Sequence, residues 1–352
     1  ASGSVGNAAT TAGRLASRAD LVLGGSDSYT TGIRQDTYYS GPSWNRYFNP
    51  DLTWEVGEKI NLGLDLQLFN DFNLTFDIFR EKRRDIFMTR ENSIPEIVGT
   101  GETKITSNNG EMENKGLDLA IDYNKQITKD FFLSFKSTLT FARNKVLKMD
   151  EPPYFEYPGL SDVGHPLGTY WGYVADGLFP DQETIDNSPR QDLGYTPQPG
   201  DIKYVNQPNA KGEYDNVINS NDRVAIGHPY DPELVYGFGP SMKWKNWDFS
   251  FFFQGVARTS FMMYGMHPFG TTSIKNMLQF VADDHWSVDN PNPNAAYPRL
   301  TKDSNGNNEQ YSTYWLRNAA FLKLKNAEIG YTYKVKRFYL SGVNLLTFSP
   351  FM

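Results

Sequence analysis

Side chains able to do chemistry are present in this chain, but their types and spacing do not assemble a reaction centre. The four histidines, His165, His228, His267 and His285, are scattered, and no His-x-Glu or His-x-x-x-His spacing sets up zinc ligation. Cysteine is absent, which excludes both a disulfide framework and a thiolate metal site. No Gly-x-Ser-x-Gly elbow and no phosphate-binding Gly-Lys-Ser/Thr loop occurs. Acid pairs such as Asp283 with Asp284 mean little in a chain with 41 acidic residues. No catalytic residue is assigned. The conspicuous side chains are aromatic: 7 Trp, 21 Tyr and 24 Phe. A flat ring with a polar tip suits stacking on a sugar or lying along a peptide backbone, and it equally suits packing long loops against one another or a partner. Tyr170, Trp171 and Trp315 are the candidates for substrate or partner contact.

Those rings must be positioned by the elements around them. In the stretch Asn61 to Phe79, Leu62, Leu64, Leu66 and Leu68 share one parity and Asn61, Gly63, Asp65 and Gln67 the other. Period-two alternation describes a strand with one apolar and one wet face. Similar strands are expected at Thr53 to Phe69, Asn73 to Met88, Glu113 to Ile127, Phe131 to Leu147, Glu233 to Lys245, Trp247 to Met263, Phe321 to Tyr333 and Arg337 to Ser349. Several run to about 15 residues, beyond the ~3–10 of ordinary soluble strands. The first turn is three residues, Asn70 to Phe72; Thr128 to Asp130, Asn246 alone and Lys334 to Lys336 make the other short ones. The intervening connections are long, at about 89–112, 148–232 and 264–320.

Short and long connections alternate strictly. In an antiparallel meander that puts every short turn on one rim and every long loop on the other, which is the asymmetry of an outer-membrane barrel. No run approaches the ~18 apolar residues of a membrane-crossing helix. A net charge of −7 in 352 residues argues against nucleic-acid binding. The Leu/Phe parity is then expected to meet lipid. The other parity, Asp65, Gln67, Asp77, Asp118, Asp122, Lys136, Asp248, Gln254 and Glu328, is expected to face a watery, plugged lumen. Phe252 intrudes on that inner parity. Trp54, Phe69, Tyr123, Trp244, Trp247, Tyr331 and Tyr333 gather at strand ends, where an interfacial girdle belongs.

The run NPDLTWEVGEKINLGLDLQLF, Asn49 to Phe69, resembles TonB-dependent outer-membrane receptors of the SusC/RagA type, in which an Asn-Pro-x-Leu-x-Trp-Glu element opens a barrel strand. NNGEMENKGLDLAIDY (Asn108 to Tyr123), GHPLGTYWGYVADGLF (Gly164 to Phe179), PGDIKYVN (Pro199 to Asn206), NDRVAIGHPYDPELVYGF (Asn221 to Phe238) and YWLRNAAFLKLKNAEIGYTY (Tyr314 to Tyr333) follow in the family's order. The resemblance implies an all-β transmembrane antiparallel barrel, 22-stranded and plugged, of which residues 51–352 form a segment and residues 1–50 the end of a preceding strand with an extracellular loop. On that resemblance the plug domain and the final strands are expected to lie outside this chain. It also implies residence in the bacterial outer membrane, contact with lipid and lipopolysaccharide, a SusD-like surface lipoprotein as partner, and energy from TonB. Where relatives carry an Asp-rich, calcium-loop-like run, this chain has Asn206 to Asp222, with Asn206, Asp215 and Asp222 as the surviving oxygen donors. The ligand pattern is degraded, so no cofactor is expected and Ca²⁺ is the only metal considered.

The leading expectation is therefore import of glycans or oligopeptides. The alternatives are the same barrel co-opted as a structural or assembly subunit of a larger complex, and a soluble β-rich carbohydrate-active enzyme. If the parity assignment holds, Leu64→Lys or Phe251→Lys will cost ~2–4 kcal/mol at the bilayer midplane, whereas lysine at lumen-parity positions will be tolerated. Denaturant unfolding of the lipid-reconstituted receptor measures this, and equal tolerance of both parities would count against the assignment.

Overall fold

In the computed structural model, residues 20–22, 28–90, 92, 94, 97, 105–263, 278–301 and 304–350 are described. Eight strands build one antiparallel sheet: β1 (Val56–Leu68), β2 (Phe72–Arg90), β3 (Ile105–Thr128), β4 (Phe131–Lys148), β5 (Leu234–Trp244), β6 (Trp247–Ala257), β7 (Phe321–Tyr333) and β8 (Lys336–Phe348). Their spatial order is their chain order, a pure meander with open edges at β1 and β8. Short hairpin strands at Ser28–Thr31 and Thr37–Ser40 precede it. Most of the expected 1–50 segment up to residue 27, much of 91–104 and the beginning of the expected 264–320 loop, 264–277, lie outside the described residues, as do 302 and 303.

The eight expected strands are the eight strands of the sheet, with differences at their ends that have local causes. β3 begins at Ile105 rather than Glu113, because Ile105 to Ser107 still pair with Met88 to Arg90; the connection narrows to 91–104. The turn ascribed to Asn246 alone is Lys245–Asn246, since Trp244 pairs with Trp247 and Lys245 takes φ +53°. Lys334–Val335 and Lys129–Asp130 are likewise two-residue turns. In the first turn Phe69 and Asn70 both sit at positive φ, the backbone that a tight hairpin demands. β6 stops at Ala257 rather than Met263, where Arg258 turns to φ +55°; Ser260–Met262 then pairs with Leu316–Asn318 instead.

Register turns the sequence alternation into continuous cross-strand rows. One face carries Leu66–Leu74–Ile121–Ser137–Phe238–Phe253–Leu324–Leu346 in a single row, and Leu64–Phe76–Leu119–Leu139–Tyr236 in the next. The apolar side chains of that face lie open: Leu62 is 67% and Leu64 50% exposed. On β2 the band runs from Phe72 to Ile78, roughly 20 Å at ~3.3 Å per residue, near the ~25 Å of a lipid-facing belt. At the short-turn rim Trp247 packs on Tyr331 with ring centroids 4.8 Å apart.

The other face is polar, and Phe252 has a physical reason to be there. Its ring lies across Gly237, where an added Cβ would meet it at 2.8 Å. Gly116 is a tighter case: a Cβ there would run into the Phe79 ring and the Phe141 carbonyl. The Phe79 ring takes the space left by the absent side chain. Gly116→Ala should therefore destabilise by about 1–3 kcal/mol through overpacking, while Gly57→Ala, whose nearest neighbour is 3.7 Å away, should be near neutral. Unfolding midpoints of the two variants will separate these outcomes.

Candidate functional site

The nine residues assigned to the lumen share the polar face by register. Several are linked. Asp65 accepts from the Thr75 hydroxyl at 2.7 Å and Asp118 from the Thr140 hydroxyl at 2.6 Å. Lys136 Nζ stands 3.5 Å from Asp122. Asp248 and Glu328 converge on Arg337, whose Nε donates to Asp248 at 3.2 Å. Gln254 lies opposite Lys323, Gln67 opposite Asn73, and Asp77 opposite Asp118. These links tie neighbouring strands together while leaving the face wettable.

Above the long-loop rim, the segments between β4 and β5 and between β6 and β7 fold together. Their core holds Tyr173, Ile202, Tyr204, Ile218, Ile226, Val281, Trp286 and Trp315, the main body of buried apolar side chains among the described residues. The sheet has no comparable core, because its apolar face lies exposed. The loop layer is further tied by one fully buried carboxylate. Asp201 accepts from Arg299 Nε at 2.7 Å, Asn308 Nδ2 at 2.8 Å, Asn305 Nδ2 at 3.0 Å and the Gln198 amide at 2.8 Å. Burial is the largest single influence and works against the Arg299 charge, but the hydrogen bonds and charge attraction from Asp201 and Tyr195 together hold the guanidinium above its ordinary pKa. Asn307 and Asn308 clamp the Ile202 backbone at its carbonyl and amide, and Trp315 Nε1 donates to the Asn308 carbonyl at 2.7 Å.

This knot presents the 306–311 turn to a cavity of about 460 Å³ lined by Trp171, Tyr173, Arg223, Glu309, Gln310 and Tyr311. The far wall comes from the short strand Tyr170–Gly172, paired with Val224–Ile226. Gly172 permits it: a Cβ there would strike the Tyr311 carbonyl. Trp171 is fixed by its indole N–H, which donates to Asp162 at 2.6 Å, and by the edge of His165. Arg223 has no ion-pair partner among the described residues. An aromatic face, a guanidinium, a carboxylate and an amide in one cleft can stack on a flat apolar surface and hydrogen-bond hydroxyls, carbonyls or carboxylates.

Of the three aromatic candidates, only Trp171 lines this cavity. Tyr170, next in sequence and opposite in parity, packs against the loop core and meets Tyr230 edge-on. Trp315 does not line it: at 2% exposure it sits in the loop core and supports the Asn308 turn. The sequence reading missed Arg223, Glu309 and Gln310, and it passed over the Asn305–Gly306–Asn307–Asn308 run, a turn signal dense in side-chain amides. At the calcium-like loop, Asp222 accepts the amides of Gln207 at 2.7 Å and Asn219 at 2.8 Å, and Asp215 accepts that of Val217 at 3.0 Å. Burial lifts the Asp222 carboxyl above its ordinary pKa against those two donors. The Asn206 amide is buried without a hydrogen-bond partner among the described residues. No cluster of three or more His, Cys, Asp or Glu suited to a metal occurs among the described residues.

Residues 25–345 match the family model described as TonB dependent receptor-like, beta-barrel. The chain belongs to that family. It is 25% identical over 338 residues to TonB-dependent receptor P3 of Formosa agariphila, covering 90% of this chain and 32% of the relative. It is 26% identical over 313 residues to TonB-dependent receptor SusC of Bacteroides thetaiotaomicron, covering 85% of this chain and 28% of the relative. Among solved structures, the RagAB peptide importer in its open-open state superposes with a TM-score of 0.67 at 20% identity, covering 95% of this chain and 34% of that one. The relatives place this receptor with the SusC/RagA type, and the chain spans about a third of their length. The transmembrane antiparallel barrel is thus its fold, and the eight-stranded sheet is a part of it.

Asp201→Ala would leave the Arg299 guanidinium, 17% exposed, without its carboxylate. Loss of one partner of a buried ion pair costs ~3–5 kcal/mol. Hydrogen exchange of the receptor should then show residues 304–310 losing protection while the β2–β4 amides keep theirs; unchanged protection at 304–310 would dismiss Asp201 as the organiser of the turn.

Proposed function

We propose that this receptor segment belongs to an outer-membrane importer that takes up glycans or oligopeptides, energised through TonB and working with a SusD-like surface lipoprotein. The observation that carries the reading is the combination of a two-faced sheet with long loops on one rim only, folded into a layer with a cavity walled by Trp171, Tyr173 and Arg223. Membership in the TonB-dependent receptor family supports transport. Likeness to the RagAB peptide importer lends support to a peptide cargo, and likeness to SusC to the SusC-like role. Trp171 would stack on a sugar ring or flat peptide group, Arg223 would hold a carboxylate or hydroxyl, and Glu309 and Gln310 would read polar groups at the opposite wall. The polar sheet face would line the wet path beneath.

Affinity isolation of the full-length protein from membranes in mild detergent, with mass spectrometry of what copurifies, tests this. A SusD-like lipoprotein with trapped glycan or peptide is expected. A stoichiometric set of assembly or secretion proteins without cargo would replace import by a structural role. With the cargo in hand, Trp171→Ala should weaken its binding by about 2 kcal/mol, as expected for a central aromatic anchor, with no change in heat-modifiable folding.

A further inference from the structure

The apolar, outward face of the sheet does not end in plain solvent at its long-loop rim. Directly above the row Leu62–Ile78–Leu117–Phe141, the next outward row reads Ile60–Arg80–Lys115–Arg143, three cations side by side on adjacent strands. Like charges directly opposite one another in a sheet repel. The following row brings Lys145 opposite Glu113. Glu113 is shared by Arg80 at 2.6 Å and Lys115 at 2.7 Å, and Glu233 by Arg143 at 3.1 Å and Arg258 at 2.6 Å. Lys145 has no ion-pair partner among the described residues. The row of Lys145 also carries Glu58 and Lys82, and Lys82 pairs with Glu111 at 3.1 Å, so six cations (Arg80, Lys82, Lys115, Arg143, Lys145 and Arg258) stand against four carboxylates (Glu58, Glu111, Glu113 and Glu233), a local excess of two positive charges in a chain of net charge −7.

These groups surround a recess. Ile78, Leu117 and Phe141 form its apolar floor, Lys115, Arg143 and Lys145 its cationic wall together with the Glu113 carboxylate that Lys115 and Arg80 already hold, and Gly164 and Pro166 of the neighbouring loop its edge; its volume is about 620 Å³. The loop is anchored there by paired bonds, Val146 amide to His165 carbonyl at 2.9 Å and Gly164 amide to Val146 carbonyl at 2.8 Å. The side chains that make its floor and cationic wall, Ile78, Leu117, Phe141, Lys115, Arg143 and Lys145, share the parity of the apolar face and not that of Asp77 and Asp118.

We infer that the recess bounded by Lys115, Arg143 and Lys145 holds the phosphate-bearing headgroup of an outer-leaflet glycolipid, with an acyl chain descending over Ile78, Leu117 and Phe141. The inference rests on the membrane-barrel reading above. Guanidinium and ammonium groups donate charge-assisted hydrogen bonds to phosphate oxygens, and basic recesses beside a membrane-crossing surface select anionic headgroups. A free phosphate would meet the same cations but not the apolar floor.

The test is native mass spectrometry of the full-length receptor in detergent, loaded with lipid A, with dephosphorylated lipid A, or with inorganic phosphate as competitor. Wild type should retain lipid A and lose it when the lipid is dephosphorylated. Lys145→Gln, which breaks no ion pair, should weaken retention about fivefold, and the triple variant with Lys115→Gln and Arg143→Gln tenfold or more. Lys59→Gln on the opposite face should change nothing. Equal retention by wild type and Lys145→Gln, equal loss in Lys59→Gln, or full displacement by millimolar phosphate would each overturn the inference. Outer-membrane fractionation of the same proteins keeps the two readings apart: absence from that membrane removes the barrel reading itself, whereas correct localisation with phosphate-independent retention removes only the lipid site.

Discussion

A backbone amide or carbonyl in hydrocarbon has no water to bond, so a chain that crosses lipid without helices must pair every such group with a neighbouring strand. That constraint accounts for the most regular part of this molecule. β1 to β8 run as an unbroken antiparallel meander, and their register keeps each apolar row continuous from strand to strand even where β7 carries a bulge between Leu324 and Asn326. Because the pairing period is two, a single-residue slip anywhere would exchange the Leu/Phe face for the Asp/Gln face along a whole strand. The small residues at Gly116 and Gly237 serve the same end, making room for the Phe79 and Phe252 rings on the polar face without displacing the ladder.

The loop layer obeys a different rule. Its segments bury apolar side chains of their own, and polar backbone enclosed with them must be satisfied one group at a time. The Asn305–Asn308 turn, held by Asp201, does this for the Ile202 backbone and accepts the Tyr204 hydroxyl and the Trp315 indole N–H, while Gln191 accepts the Tyr204 amide. One buried carboxylate therefore fixes where Glu309 and Gln310 stand relative to Trp171, across more than a hundred residues of chain. A cavity assembled in this way has walls from separate loops, which lets its chemistry vary between relatives without disturbing the ladder below.

The two faces and the rim divide the charge. Acids and amides on the polar face are linked across strands, as in Asp65 with Thr75 and Asp248 with Arg337. Cations collect outward, where Arg80, Lys115 and Arg143 cap the apolar band. In an overall acidic chain, one edge of the apolar band is thereby basic.

The sequence by itself determined the strands, their parity and the one-sided distribution of loops, because alternation and turn residues are local signals that survive without any knowledge of contacts. It also set the face of Asp65, Asp118 and Gln254, since parity follows from counting once one neighbour is placed. It could not decide strand ends such as Ile105 and Ala257, which depend on whether a partner strand continues alongside. Nor could it sort Tyr170, Trp171 and Trp315, three aromatics in similar Gly- and Asn-rich company. Only the tertiary structure turned Trp171 toward a cavity and buried Trp315 behind Asn308, because burial in an irregular layer depends on long-range packing around Asp201, and no periodicity along the chain encodes which loop will lie on which.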